Sequence, residues 1–317
     1  MNRDKSLVKI IFFGNERLAS GVTSKCLTFE SLLNEGYDVV AAVVNERSGS
    51  GRKKRQLEIA ELAKIRDVPV VVYENKNQIL RLISDTGAEV GVLAAFGRII
   101  SQEVIDAFSH GILNIHPSLL PKYRGTTPIE SAILCGDKTT GVTLMQLVKE
   151  MDAGPTYGCA EIDSDDIKSK QETYEELSEL GTELLLGTLE DIFSYEPQFS
   201  SIKQDDEQAT FCQPIKKADG IVDWSKNAQR IAREVRAYLK WPGSRTSVGG
   251  KDLVLTEVLA IKNTPKDPPK WQEDNFSVVG KRLFAQCKDS SYIEILKLKP
   301  AGKKEMLASD FINGLVR

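Results

Sequence analysis

Asn114 and His116 stand two residues apart at the end of a short apolar run, Ile112–His116. Side chains on a strand alternate with a period of two, so both would project from one face. An asparagine amide donates a hydrogen bond without titrating, and an imidazole exchanges protons near neutral pH. The pair could therefore hold an oxyanion and move a proton at one place. Taken alone, such a pair is more often an ordinary polar strand end. Pro117 and Pro121 stiffen the loop that follows, Pro117-Ser118-Leu119-Leu120-Pro121-Lys122-Tyr123-Arg124-Gly125. The sequence has two histidines, which excludes a multi-histidine metal site; the other, His110, precedes the strand and is expected at the surface. The five cysteines (Cys26, Cys135, Cys159, Cys212, Cys287) are scattered and form no CxxC, so neither a disulfide framework nor a thiolate zinc site is expected.

The elements that must place this pair alternate in type. Leu7–Phe13, Asp38–Val44, Val68–Tyr73, Glu89–Ala95 and Ile112–His116 read as strands, with helical stretches such as Glu58–Arg66 and Lys76–Ser84 between them. Alternation of this kind predicts an α/β domain with a mostly parallel, Rossmann-like sheet. Such sheets bind ligands beyond the carboxyl ends of their strands, at a switch point. Gly14-Asn15 after the first strand lacks the GxGxxG spacing, which argues against a dinucleotide site. Thr140–Val148 is a further strand, and Gln171–Phe193 a long helix with leucines 177, 180, 184 and 185 on one side. The polar stretch Ser194–Gln208 resembles an exposed linker. Beyond it, Ala228–Leu239 is a cationic amphipathic helix, and Asp252–Val258, Phe276–Val279, Arg282–Gln286 and Tyr292–Leu298 are short β-like runs, predicting a small antiparallel barrel. The expected organisation is a catalytic domain over 1–193, a linker over 194–209 and a second domain over 210–317.

At 317 residues and 41% hydrophobic, the chain can bury two ordinary cores. No apolar run approaches the roughly 20 residues a bilayer crossing needs, and the start of the sequence lacks a signal-like apolar region. A cytoplasmic protein with no membrane contact is expected. The net charge of −3 hides an asymmetry: residues 1–200 carry 21 Lys and Arg against 30 Asp and Glu, and residues 201–317 carry 21 against 15. The basic third could face a polyanion, although chance and solubility explain such an excess equally well. A second basic feature is the stretch Asn45–Arg55, which ends in Arg52, Lys53, Lys54 and Arg55. Its ordinary reading is a solvated surface loop; its alternative is a loop that orders on phosphates and releases counterions.

The whole segment Asn114–Gly125 closely resembles the signature of the 10-formyltetrahydrofolate-dependent formyltransferases, in which an N-x-H pair precedes an SLLP run. Two more blocks follow in order. Gly136–Thr143 (GDKTTGVT) resembles the family's turn and strand after the signature, and Met151-Asp152-Ala153-Gly154-Pro155 resembles the loop that carries its catalytic aspartate. Downstream, Lys217–Trp224, Arg236–Gly243 and Pro300–Phe311 look like the C-terminal domain of the members that formylate methionyl-tRNA, an oligonucleotide-binding (OB)-like barrel that helps hold tRNA. The opening turn Phe13-Gly14-Asn15-Glu16-Arg17 departs from the family's usual form, and no residue there is given a role.

The resemblance implies formyl transfer from 10-formyltetrahydrofolate to the free α-amine of methionyl-initiator tRNA, with Asn114, His116 and Asp152 catalytic. Asn114 suits donation to the oxyanion, His116 proton transfer or donation in its charged form, and Asp152 orientation of the imidazole or proton relay. Ser118, Leu119, Leu120 and Pro121 would contact the folate, with Phe96 and Gly97 beside the pterin. Arg52, Lys53, Lys54 and Arg55 would reach the acceptor end of the tRNA. The resemblance implies no metal, and a monomer is expected. The nearest rival is a formyltransferase acting on a nucleotide-linked amino sugar. A phosphoribosyl-glycinamide formyltransferase would not need residues 210–317, and a non-catalytic RNA-binding module would not need Asn114, His116 and Asp152 intact.

Overall fold

Five short runs rich in Val, Ile and Phe become parallel strands, four of them largely buried under cover on both faces and the outermost, Val70–Val72, largely exposed at the sheet edge. They are β1 (Lys9–Gly14), β2 (Asp38–Val44), β3 (Val70–Val72), β4 (Val90–Ala94) and β5 (Ile112–His116). Two antiparallel strands, β6 (Thr139–Gln146) and β7 (Thr156–Asp163), extend the sheet beyond β5. In this computed structural model, which describes residues 3–45, 57–164, 168–198, 200–261 and 275–314, the order is β3-β2-β1-β4-β5-β6-β7. The order reverses between β1 and β4, so the switch point falls at their carboxyl ends, one strand away from β5.

Helices α1 (Leu27–Asn34), α2 (Glu58–Ile65), α3 (Lys76–Thr86) and α4 (Gln102–Asp106) alternate with these strands, followed by α5 (Pro128–Cys135) and α6 (Lys170–Ile192). In α6 the buried stripe runs through Tyr174, Leu177, Ser178, Thr182, Leu185 and Leu189. Leu180 and Leu184, expected on that stripe, are only half-buried. Gly181 sits where α6 crosses β5: a Cβ there would lie 2.7 Å from Ile115 Cγ2. The helix therefore backs the Ile115 face of β5, and the strand's alternation leaves Asn114 and His116 on the other face.

Glu16, in the turn after β1, is buried and adopts φ 55°. The N-cap of α1, Cys26, offers no side-chain hydrogen bond, and Glu16 supplies what is missing. Its carboxylate accepts from the Thr28 and Phe29 amides at 2.9 and 2.8 Å, so a distant carboxylate caps the helix. Burial pushes its pKa from 4.5 up to about 7, against the lowering effect of those amides. A carboxyl that binds its proton more tightly when folded contributes stability below its unfolded pKa and loses it as pH rises through the folded one. Folding stability should therefore fall between about pH 4.5 and 7 by roughly 3 kcal/mol from this group alone. Denaturant titrations at pH 5 and pH 7.5 check this: Glu16→Gln should show a pH difference smaller than wild type by about 2 kcal/mol. An unchanged pH difference would remove Glu16 from the account.

The chain divides into two compact units, the first comprising Met1–Ile129, Lys138–Asp163 and Gln171–Gln213, the second Glu130–Asp137, Ser164–Lys170 and Pro214–Arg317. In the second unit, β8 (Ser244–Val248), β9 (Lys251–Ile261), β10 (Phe276–Val279), β11 (Arg282–Gln286), β12 (Tyr292–Pro300) and β13 (Met306–Leu307) form an antiparallel sheet. Its path is β10-β11-β12-β9-β8, with β13 on β12, so β8 and β10 stand at the two ends among the described residues. Helices α7 (Ala228–Ala237) and α8 (Ala308–Asn313) cover it, burying Ile231, Val235, Phe311 and Ile312 against Leu255, Leu283, Ile293 and Ile295. Part of the basic excess is consumed here. Arg230 and Arg233 of α7 donate to the carbonyls of Leu134 and Cys135 at the end of α5, where a helix presents unpaired oxygens. No helix among the described residues is long and apolar enough to cross a membrane.

Candidate active site

Asn114 and His116 are the third and last residues of β5 and are 5% and 4% exposed. In register, Asn114 lies between Leu93 of β4 and Met145 of β6, and His116 lies opposite Thr143. His116 Nε2 is 3.0 Å from the Tyr123 carbonyl. A carbonyl oxygen only accepts, so Nε2 carries the proton and donates. In the neutral ring the lone pair is then on Nδ1, which faces Asp152 Oδ2 at 3.7 Å. A proton arriving at Nδ1 would stand beside a carboxylate. That carboxylate oxygen is itself held by the Gly125 amide at 2.8 Å.

Two loops build this contact, and both contain non-glycine residues in the left-handed region, Tyr123 at φ 58° and Asp152 at φ 50°. Such conformations persist only where the surroundings over-determine them. The SLLP loop is held from below. Ser118 is fully buried and its hydroxyl donates to the Lys122 carbonyl at 2.6 Å, so it shapes the loop. Thr143 Oγ1 donates to the Ser118 carbonyl and accepts from the Leu120 amide. Leu119, Leu120 and Pro121 remain half-buried at the mouth, with a cis peptide before Pro121. At the end of β4, Phe96 packs edge-on against Phe13 and Tyr73 in the core, so its side chain is committed inward. Gly97 is exposed at φ 70°, which leaves the backbone of that turn open to a ligand. The structure thus brings Asn114, His116 and Asp152 into adjacent positions, with the Ser118–Pro121 loop beside them. Arg52, Lys53, Lys54 and Arg55 lie outside the described residues.

His110 is half-buried rather than exposed, its ring 4.6 Å from that of Phe193, and burial lowers its pKa. It sits before β5, at the opposite end of the strand from the site. Cys212 lies near Asp152, but burial raises its thiol pKa, and its Sγ is occupied by the Arg124 carbonyl and the Thr127 amide. It is a poor nucleophile there. Among the described residues no cluster of three or more His, Cys, Asp or Glu side chains is arranged for a metal ion.

The segment expected as an exposed linker contains a buried residue that sequence reading passed over. Gln204 is 8% exposed and bridges the two site loops. Its Oε1 accepts from Arg124 Nε and Nη2 at 3.1 and 2.8 Å, and its Nε2 donates to the carbonyls of Asp152 and Gly154 at 2.9 and 2.7 Å. Ile202 exchanges both backbone hydrogen bonds with Thr156, and Thr210 and Cys212 pair with the 121–124 loop. Gly125 is required by this approach: it holds φ 123°, and a Cβ there would lie 2.9 Å from Cys212 Sγ. Its buried members, Gln204 and Cys212, are one amide and one isolated thiol, so no apolar periodicity announces them.

An amide, an imidazole and a carboxylate are gathered at the carboxyl end of the Rossmann-like sheet of a group-transfer enzyme. The profile of the family described as formyl transferase matches residues 8–189, and that of its C-terminal domain matches residues 214–316. The chain belongs to the formyl transferase family. A methionyl-tRNA formyltransferase of Enterococcus faecalis is 32% identical over 98% of this chain and 96% of its own. Another from a Thermotoga species is 34% identical over 82% of each. Among solved structures, an N-formyltransferase from Helicobacter canadensis, in complex with folinic acid and dTDP-3-aminofucose, superposes with a TM-score of 0.66 at 17% identity, over 93% of this chain and all of its own. HypX from Aquifex aeolicus, in complex with tetrahydrofolic acid, gives 0.64 at 17% identity over 97% of this chain, which spans about half (47%) of that longer protein. At these identities the solved structures speak to the fold.

Proposed function

We propose that the chain transfers the formyl group of 10-formyltetrahydrofolate to the free α-amine of methionyl-initiator tRNA, the step that prepares the initiator for translation. The observation that carries this reading is the end-to-end similarity to methionyl-tRNA formyltransferases, through the catalytic half and the C-terminal unit alike. The neutral amine attacks the formyl carbon, an oxyanion forms, and tetrahydrofolate departs with its N10 protonated. Asn114 donates to the oxyanion. His116 takes the amine proton at Nδ1, because Nε2 is committed to Tyr123. Asp152 stabilises the imidazolium so formed and fixes the ring. The proton then passes to N10, so none is gained or lost overall and no covalent enzyme intermediate is required. The Leu119–Pro121 edge and the Gly97 turn flank the folate, with Ser118 acting through loop shape. In this reading the working unit is a single chain in the cytoplasm, and the chemistry runs on side chains without a metal.

Residues 210–317 bind tRNA together with Arg52, Lys53, Lys54 and Arg55. In sequence, that basic stretch follows β2, which ends at Val44. Neutralising all four should weaken use of methionyl-tRNA and flatten its salt dependence, since each phosphate contact contributes about 0.7–0.9 to the logarithmic slope. An unchanged affinity and slope would leave tRNA binding to the C-terminal unit alone. The deciding experiment offers 10-formyltetrahydrofolate with charged initiator tRNA or with a nucleotide-linked amino sugar. Formyl transfer to the methionyl amine is the expected result; transfer to the sugar amine alone would overturn the reading.

A further inference from the structure

We infer that Gln204 is a positioning residue for the reaction, acting through Asp152. The inference rests on the formyl-transfer reading for its kinetic test, but its geometric basis is independent of the substrate.

Asp152 is held at two points, its carboxylate by the Gly125 amide and its carbonyl by Gln204 Nε2, and the same nitrogen holds the carbonyl of Gly154 two residues on. Its left-handed backbone, φ 50°, is costly for a residue with a Cβ, on the order of 1–3 kcal/mol, and needs such restraint. The orientation of the Gln204 amide is dictated by its neighbours. Arg124 can only donate, so it selects the oxygen; the two carbonyls can only accept, so they select the nitrogen. Arg124 is itself 4% exposed and is anchored to Asp206 at 2.8 Å. Arg124 thus fixes Gln204, and Gln204 fixes the backbone from which the Asp152 carboxylate reaches His116. All three belong to the first compact unit. Gln204 need not touch substrate in this scheme. It decides where Oδ2 sits relative to Nδ1, and a displacement of about 1 Å in such a contact can cost around 10²-fold in rate.

The test uses the full chain. Gln204→Glu keeps an acceptor for Arg124 but replaces the donor to both carbonyls with an oxygen; Gln204→Met removes both functions at similar length. The expected result is a kcat lower by about 10²-fold, with KM for donor and tRNA within about threefold of wild type and a single cooperative unfolding transition at somewhat lower denaturant, since two buried carbonyls lose their donor. Because the residue acts through Asp152, adding Gln204→Glu to Asp152→Asn should lower kcat by no more than about threefold beyond Asp152→Asn alone. A purely structural role predicts costs that multiply, or a loss shared between KM and stability, and either result would overturn the inference. A crystal structure of Gln204→Glu supplies the readout that needs no assay. The His116–Asp152 separation should lengthen from 3.7 Å, and an unmoved carboxylate would count against the proposal. If the wild-type chain formylates no methionyl-tRNA, the functional reading fails while this distance still decides the role of Gln204. Should Gln204→Met fail to fold, the Glu variant with its retained Arg124 contact decides alone.

Discussion

His116→Ala and Asp152→Asn should each leave a folded protein that transfers formyl groups about 10²–10⁴ times more slowly, the range typical for losing a positioned proton-transfer group. Asn114→Ala should cost about 10²–10³, the usual effect of removing one oxyanion donor. The basis is the shared face of β5 and the Nδ1–Oδ2 contact of 3.7 Å. In the proposed mechanism the three act on one transition state, so their effects should not multiply, and the triple variant should be little worse than the worst single one. Single-turnover measurements with saturating donor and acceptor separate this from weakened binding. Near-normal turnover in His116→Ala would sink the mechanism.

The largest expected effect on stability lies in the second unit. Lys170, the first residue of α6, is 2% exposed and donates to the Ala237 carbonyl at 2.8 Å. It also lies 3.6 Å from Glu130, which is fully buried. Burial lowers the lysine pKa, with Glu130 opposing that effect. Removing one member of a buried ion pair strands the other, at a cost of about 3–5 kcal/mol. Lys170→Met should therefore destabilise by that much in denaturant titrations. Lys170→Met combined with Glu130→Leu should recover a large part, since two apolar groups leave no buried charge. A Lys170→Met protein as stable as wild type would show that Glu130 is satisfied by its other contacts.

The parallel half of the first sheet was legible because buried strands leave uninterrupted apolar runs. β2 and β5 begin and end where those runs do, and β4 differs by one residue at each end. β7 escaped notice because it is an edge strand: of Thr156–Asp163 only Ile162 is buried, so there was no pattern to read. β8 was missed for a related reason, since Ser244–Val248 is polar. The N-x-H spacing on β5 could be read from strand geometry alone, whereas Asp152 needed the family resemblance, being brought to His116 by folding rather than by spacing. Glu16 and Gln204 were out of reach on both counts. Each earns its place through contacts with distant backbone groups, Thr28 and Phe29 for one, Asp152 and Gly154 for the other.

The segment from Ile202 to Gln213 also determines where the protein can be cut. A fragment ending at residue 193, where the long helix stops, would include every side chain assigned to the chemistry. It would nevertheless lack both acceptors of the Arg124 guanidinium and the donor shared by the Asp152 and Gly154 carbonyls. It would also leave the amides of Tyr123, Arg124 and Thr156 without their partners. The smallest piece that retains those partners ends at residue 210, and keeping Cys212 and Gln213 on Arg124 and Thr127 as well extends it to 213. Insertions and fusion junctions belong after residue 213, and a tag placed in 200–209 would disturb the loops around Arg124 and Asp152 while appearing, by sequence, to sit in a spacer.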